Sequence, residues 1–404
     1  VPYDQAVVDV KSYPVFDARG KRLGSARWRV IQNTGNCCEN YLSTTQHGEL
    51  LDFGGTYLRF SEDMGRTWFQ VRPIEPLVNG EGAVSVAPNG DIIGMTWDPY
   101  SGDHIVTFKY DVEQEAWLYS ETKLHTPFFD RPWLAVVRGP FDFRGVEAPY
   151  ISILMSNFSF YREIFYVSID GLNYFIPSVR DLDQLRSSPV SRWLDLPRDD
   201  WADLGQPLTE SGITPLPKGG ALAAEIGPLG SGSSFAILES PEPTWASYET
   251  PKGQLDEGRL LADSKGRLHH VVAERGEKSF VYSLSSNGGR SFDKVRVDLP
   301  RRHEIEDFDY TAHGGRGITA IAIHSHNTDK DVDQDLLYRF STRGGHPKLT
   351  RVYFVGDGDE TVGSGFGASI RFDFATTTIM PDGTIATSFV DKSHGDPAIA
   401  LLLD

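Results

Sequence analysis

Three arginines, each close to a carboxylate, are the residues of this 404-residue chain best suited to chemistry: Arg131 beside Asp130, Arg259 near Glu257, and Arg371 near Asp373. A guanidinium is permanently charged and grips a carboxylate through two N–H groups, so three of them brought together would hold and neutralise one anion. The opposing reading, that each arginine pairs only with its own acidic neighbour, stays open at this level. Two histidines lie in polar segments, His104 in Asp98-Pro99-Tyr100-Ser101-Gly102-Asp103-His104 and His326 in His324-Ser325-His326-Asn327. An imidazole titrates near neutrality and can act as a base, a role also open to a phenol such as Tyr310. A cation on a uronate carboxylate plus a base for the neighbouring C–H is the requirement for β-elimination. Around this set, Asn40, Tyr41, Glu81, Arg162 and Arg275 offer polar contacts, and Trp97, Tyr100 and Trp133 offer flat faces for a sugar ring or for ordinary packing.

Other chemistries lack their residues. The sequence has no His-Glu-x-x-His, no Cys-x-x-Cys, no phosphate-binding glycine loop and no nucleophile-elbow serine. Carboxylates alternate along Asp329–Asp335, but the spacing and closing glutamate of an EF-hand are missing, and the segment reads as a solvated acidic loop. The chemistry requires no cofactor; a structural Ca2+ in a central channel is left open. Asn157-Phe158-Ser159 is a glycosylation sequon if the source is eukaryotic.

The elements that must position these residues recur along the chain. Tight turns at Gln46-His47-Gly48, Pro88-Asn89-Gly90, Ser264-Lys265-Gly266 and Pro381-Asp382-Gly383 each lead into a short apolar strand, with less regular versions at Pro217-Lys218-Gly219-Gly220 and His313-Gly314-Gly315. Each reads as a hairpin within one sheet. Behind two of them stand Ser61-Glu62-Asp63-Met64-Gly65-Arg66-Thr67-Trp68 and Ser285-Ser286-Asn287-Gly288-Gly289-Arg290-Ser291-Phe292, both of the form Ser-x-Asp/Asn-x-Gly-x-Ser/Thr-aromatic. The Asp or Asn oxygen caps turn N–H groups, glycine takes a left-handed conformation, and the aromatic packs between sheets. Ser168-Ile169-Asp170-Gly171 ending in Phe175, and Ser341-Thr342-Arg343-Gly344-Gly345, read as decayed copies.

This motif resembles the Asp-box (BNR) repeat of sialidase-like β-propellers. The resemblance implies an all-β fold: one propeller over residues 1–404, of four-stranded antiparallel blades, seven of them with six as the runner-up, and an insertion around 176–208. Alternate connections of an antiparallel sheet alternate ends, so the hairpins and the boxes share one face, and the residues singled out above collect on the other. Sialidases of this type use an arginine triad, a Tyr and Glu pair and an Asp acid. Their early Arg-Ile-Pro signature is missing here, where the nearest segment is Ala26-Arg27-Trp28-Arg29-Val30-Ile31. The plan is also similar to that of propeller lyases, such as ulvan lyases and rhamnose-glucuronate lyases.

Composition agrees with many short strands: 40 glycines, 24 prolines, and 8 Trp, 16 Tyr and 23 Phe. A net charge of −17 argues against sequence-independent nucleic-acid binding, and no apolar run is long enough to span a bilayer as a helix. Cys37 and Cys38 are adjacent, either a strained vicinal disulfide or two thiols. The chain begins at Val1, in keeping with a removed signal peptide, and a secreted monomer is expected. The expected function is a polysaccharide lyase on an acidic oligo- or polysaccharide, with His104, Arg131, Arg259, Tyr310, His326 and Arg371 at its centre. A sialidase-like hydrolase and a non-catalytic glycan-binding propeller are the alternatives.

Overall fold

The computed structural model describes residues 2–3, 6–32, 41–53, 57–71, 82–97, 104–123, 130–143, 146–157, 164–174, 210–211, 213–215, 222–226, 233–239, 242–248, 257–273, 276–330, 332–360, 376–390 and 397–403. Every regular element among the described residues is a strand, as expected of an all-β chain. The chain divides into two compact units: Val1–Arg72, Ala273–Leu284 and Asp293–Asp404 form the first, Pro73–Val272 and Ser285–Phe292 the second.

In the first unit, strands Tyr41–Thr44, Leu50–Phe53, Leu58–Ser61 and Trp68–Val71 form an antiparallel meander, with Pro2–Tyr3 added beyond Trp68–Val71. A second meander runs through His303–His313, Ile318–Asn327, Val332–Ser341 and Lys348–Glu360. The last strands, Thr377–Ile379, Ile385–Val390 and Pro397–Leu402, are completed by Arg22–Gln32 from the start of the chain. Trp28 pairs with Leu402 and Ile31 with Ile399. Strand Val7–Phe16 then joins this group to the second meander through Val15↔Tyr353 and Phe16↔Val352. The core lies between these sheets, with Trp28, Val30, Leu337, Ile385 and Ala400 fully buried in one cluster.

In the second unit, Gly82–Val86, Ile92–Trp97, His104–Asp111 and Ala116–Lys123 form one four-stranded meander, and Ile213–Pro215, Leu222–Ile226, Ser233–Glu239 and Glu242–Tyr248 another. Asp130–Phe143, Val146–Asn157 and Ile164–Ser168 form a three-stranded sheet, and Glu257–Ala262 takes Glu210–Ser211 as a parallel neighbour.

All four regular turns share one geometry. In each, the residue before the turn donates its N–H to the carbonyl four positions on, and the glycine N–H returns to the first carbonyl, as in Met380–Thr384 (both 2.8 Å). Gly383 has φ +96°, which an L-residue adopts only under strain. A fifth copy, Asp17-Ala18-Arg19-Gly20-Lys21, joins Val7–Phe16 to Arg22–Gln32 and is not among the turns expected from the sequence.

The Ser61–Trp68 turn is organised by Asp63. Its Oδ1 accepts from the N–H groups of Arg66 (2.9 Å) and Thr67 (2.8 Å) and from Ser61 Oγ, while Oδ2 accepts from Thr67 Oγ1 (2.7 Å). Asn287 repeats the pattern through Oδ1, except that its Nδ2 donates to Ser291 Oγ (2.8 Å). Trp68 is buried among Ile31, Leu50, Met380 and Leu401, which come from two sheets. In the copy at Ser168, Asn173 takes the place of Thr67 one position early, and Tyr174 is a buried aromatic, its hydroxyl 2.8 Å from Ser152 Oγ; Phe175 lies outside the described residues. At Ser341–Gly345, Arg343 stands where the carboxylate would be, and the backbone turn includes Gly345 N–H donating to Thr342 O.

Burial pulls the Asp63 carboxyl up, but the bonds from Thr67, Ser61 and Arg66 outweigh it and hold the group below the usual carboxylate range. A depressed folded value stabilises above the unfolded value, about pH 4, and the stabilisation fades as pH falls through the folded value. Asp63→Ala is therefore expected to cost about 2 kcal/mol in urea unfolding at about pH 7, and clearly less at about pH 3. An equal loss at both would refute the role of the ionised carboxylate.

Candidate functional site: a histidine–carboxylate chain at one sheet end

Successive residues of a strand point to opposite faces, so His324 and His326 share a face of Ile318–Asn327, as do Asp333 and Asp335 on Val332–Ser341. The register sets His324 opposite Asp335 and His326 opposite Asp333. On the other neighbouring strand, Asp307 faces His324 and Glu304 faces His326. Closer to the His313–Ile318 turn, the same face carries Ala320, Ala322, Leu337 and Tyr353, all part of the apolar core. One face thus changes along its length from hydrocarbon to alternating acid and imidazole.

The contacts form a chain. Asp335 Oδ1 lies 2.9 Å from His324 Nδ1, Asp333 Oδ2 lies 4.0 Å from His324 Nε2, and Asp333 Oδ1 lies 3.0 Å from His326 Nδ1. His324 is 1% exposed and the His326 side chain 27%, so the chain runs from the interior to the surface. Burial lowers the proton affinity of His324, but Asp335, Asp333 and Glu306 overcome it, and its pKa is raised above that of a free imidazole. His303 behaves oppositely on the other face. Ser325 Oγ donates to Gln334 O (2.8 Å) and so accepts from His303 Nδ1 (2.9 Å), while Asn327 Nδ2 donates to His303 Nε2 (3.2 Å). That arrangement suits a neutral ring, and burial, Lys330 and His326 lower its pKa.

Chemically, a carboxylate at Nδ1 fixes an imidazole's orientation and stabilises the imidazolium formed when Nε2 takes a proton. His326 is the ring of this chain closest to solvent. Among the described residues, no group of three or more His, Cys, Asp or Glu side chains is arranged to hold a metal ion.

The other residues expected at the site are placed as follows. Tyr41 begins strand Tyr41–Thr44 and pairs with Phe53, away from the Thr45–Glu49 turn. Trp97 and His104 lie at the end of their sheet away from the Ala87–Asp91 turn, as Trp97 pairs with Ile105. Arg131 falls in a bulge between Asp130 and Trp133 at the start of its strand, and Arg259 lies near the start of Glu257–Ala262. Asn40, Glu81, Tyr100, Arg162, Arg275 and Arg371 lie outside the described residues, as do Cys37, Cys38 and the segment 176–208.

Two expectations need correction. Tyr310 is buried and pairs with Ile321, on the face opposite His326, because a bulge between Ile305 and Asp307 shifts the alternation by one. Asp333 and Asp335 belong to a strand and bind histidines rather than lying in a solvated loop. The sequence analysis did not single out His324, Asp335 or His303. The readable signal was the matched two-residue spacing of His-Ser-His and Asp-Gln-Asp on either side of a short turn.

Two other buried ionic clusters lie at turns and are satisfied within themselves. Asp263 accepts from the N–H groups of Lys265 and Arg267, from Arg267 Nε, and contacts His269 Nε2. Burial would raise its pKa, but His269 and Arg267 hold it well below the carboxylate range. Asp91 caps Val112 N–H and meets Lys109 Nζ (3.7 Å) and the Tyr150 hydroxyl (3.1 Å).

The raised pKa of His324 gives a sign. Its contribution to stability is complete below about pH 6.5, the unfolded value, and is lost as pH rises through the higher folded value. Asp335→Asn is expected to lower the midpoint of the His324 ring-proton NMR titration and to weaken this pH dependence. An unchanged midpoint would show that Asp335 does not hold the proton there.

No protein-family model matches the chain, and no curated protein sequence matches it. Solved structures do. The β-propeller domain of Cps50 (Swd1) from Myceliophteria thermophila is similar at 11% identity and TM-score 0.50, covering 91% of this chain and 97% of that one. The lectin of Aleuria aurantia is similar at 11% identity and TM-score 0.40 (85% and 94% covered), and an α-L-arabinofuranosidase from Fusarium graminearum at 9% and 0.45 (80% and 93%). With the antiparallel four-stranded meanders, the first of these identifies the fold as a β-propeller.

Proposed function

We propose that this chain is a polysaccharide lyase that cleaves an acidic glycan beside a uronic acid by β-elimination, with His326 as the base. The observation that carries the reading is the surface imidazole of His326, held at Nδ1 by Asp333 and backed by His324 and Asp335. His326 takes the proton at C5 of the uronate. The C5–H electron pair becomes the C4–C5 double bond, the C4–O bond breaks, and the leaving oxygen collects a proton from a neighbouring acid. The carboxylate must be neutralised for C5 to become acidic. Arg371 is assigned that task, with Arg131 and Arg259 tested beside it. His104 is kept as a second candidate base.

The same reading counts seven blades, six from the Gly-turn hairpins and one from the sheet Asp130–Ser168, with Arg22–Gln32 closing the last. It places the chain outside the cell, where such polymers are met, as a monomer among the Asp-box propellers.

Incubation with rhamnose-glucuronate polymers, ulvan and glucuronan is expected to produce the ultraviolet absorbance of the unsaturated uronate. His326→Ala should lower that rate about 100-fold or more, with Asp333→Asn also impaired. Reducing ends without the chromophore would overturn the lyase in favour of a hydrolase, and absence of any product would favour a glycan-binding module.

A further inference from the structure

Away from the histidine chain, the first unit holds a cleft of about 650 Å³, a size typical of small-molecule sites. One wall is the outer strand Lys348–Glu360, through Leu349, Val352 and Phe354; the other is the segment Val295–Arg301. The Asp17–Gly20 turn closes one side. Val352 and Phe354 pair with Tyr338 and Leu336, so they lie on the face of the sheet opposite Leu337, Asp335 and His326.

The interior is apolar and aromatic. Val297, Leu299 and Val352 are buried, and Phe16 and Phe354 meet at 4.9 Å between ring centroids. Tyr338 also lines the cleft; it is 1% exposed and its ring packs edge-on against Phe280. Its hydroxyl has no hydrogen-bond partner among the described residues. A buried phenol normally finds one, and leaving it unmet is costly.

The mouth is charged unevenly. Asp17 Oδ1 is engaged by the N–H groups of Arg19 and Lys21, and Asp298 lies 3.6 Å from Arg296 Nε. Arg301, exposed at the rim, has no ion-pair partner among the described residues. Three guanidiniums, Arg19, Arg296 and Arg301, therefore face two carboxylates that are already occupied. In a chain of net charge −17 this is a locally cationic opening above an aromatic interior.

We propose that this cleft is a binding site for a small amphipathic anion, with a flat apolar body between Phe16, Val297 and Phe354 and an acidic group on Arg301. A polar atom of the body meets the Tyr338 hydroxyl. The site is separate from the proposed glycan chemistry, because Tyr338, Val352 and Phe354 face the opposite side of the sheet from His326.

Two dyes of nearly equal shape test this on the intact chain: anilinonaphthalene sulfonate, an aromatic anion, and N-phenylnaphthylamine, which lacks the sulfonate. Calorimetric and fluorescence titration should show one saturable site for the sulfonate. Arg301→Glu, an exposed substitution, should weaken the sulfonate about tenfold and leave the neutral dye unchanged. Leu349→Trp should fill the cleft and exclude both, and Tyr338→Phe should weaken the sulfonate. His326→Ala should leave both dyes bound. Non-saturable binding, or sulfonate binding indifferent to Arg301→Glu and Leu349→Trp, would overturn the site. Equal loss of both dyes in Arg301→Glu would overturn the recognition of charge.

Discussion

The first unit exists because strand Arg22–Gln32 pairs with Pro397–Leu402, joining the two ends of the chain in one sheet. Without that ladder, Pro397–Leu402 would be an edge strand with unpaired N–H and C=O groups, and Trp28 would lose the neighbour Leu402. The cluster around Trp28 draws on residues from Tyr13 to Leu402, so the ladder and the apolar core depend on each other. Joining segments this far apart costs loop-closure entropy that grows only slowly with length, and burial of Trp28, Val30, Ala400 and Leu402 can offset it. The apolar face of the His303–Glu360 meander completes that core, and the same face, followed to its far end, carries the histidine chain.

That continuity explains why the histidines are paired with carboxylates and are not isolated polar groups. A core face cannot end abruptly, and the residues that finish it are still partly or wholly buried. An imidazole and a carboxylate in such a place must satisfy each other, because neither can be left without a partner at low cost. Asp333 serves both His324 and His326, so a change of charge at the surface ring is felt at the buried one.

Local features were legible in the sequence, and features that depend on register were not. The glycine turns and the Asp63 and Asn287 loops are built by residues within five positions of one another, so composition alone reveals them. At Ser168 the loop differs, because Asn173 replaces Thr67 one position early. Tyr310 was misplaced for a different reason. Without the bulge at Glu306, the even-numbered residues of His303–His313 would share the face of His326, and with it Asp307 and Asp309 do. The pairing of the first strands with the last was not legible at all, since no local pattern in Arg22–Gln32 names Pro397–Leu402 as its neighbour.

The two ends of the sheets also divide electrostatic roles. At the turns, carboxylates such as Asp17 and Asp63 are held by backbone N–H groups, which have no second protonation state in ordinary conditions. Their partners are fixed, and their only response to pH is to release the turn when they are themselves protonated. Asp333 and Asp335 are held instead by imidazoles, whose charge changes near neutrality. Asp263 combines both kinds of partner, and burial lowers the pKa of its His269. His324 has the opposite shift, because three acidic groups outweigh its burial. The far end of the His303–Glu360 meander is thus where carboxylates meet rings that can bind a proton, whereas Asp17 and Asp63 meet donors whose charge does not change.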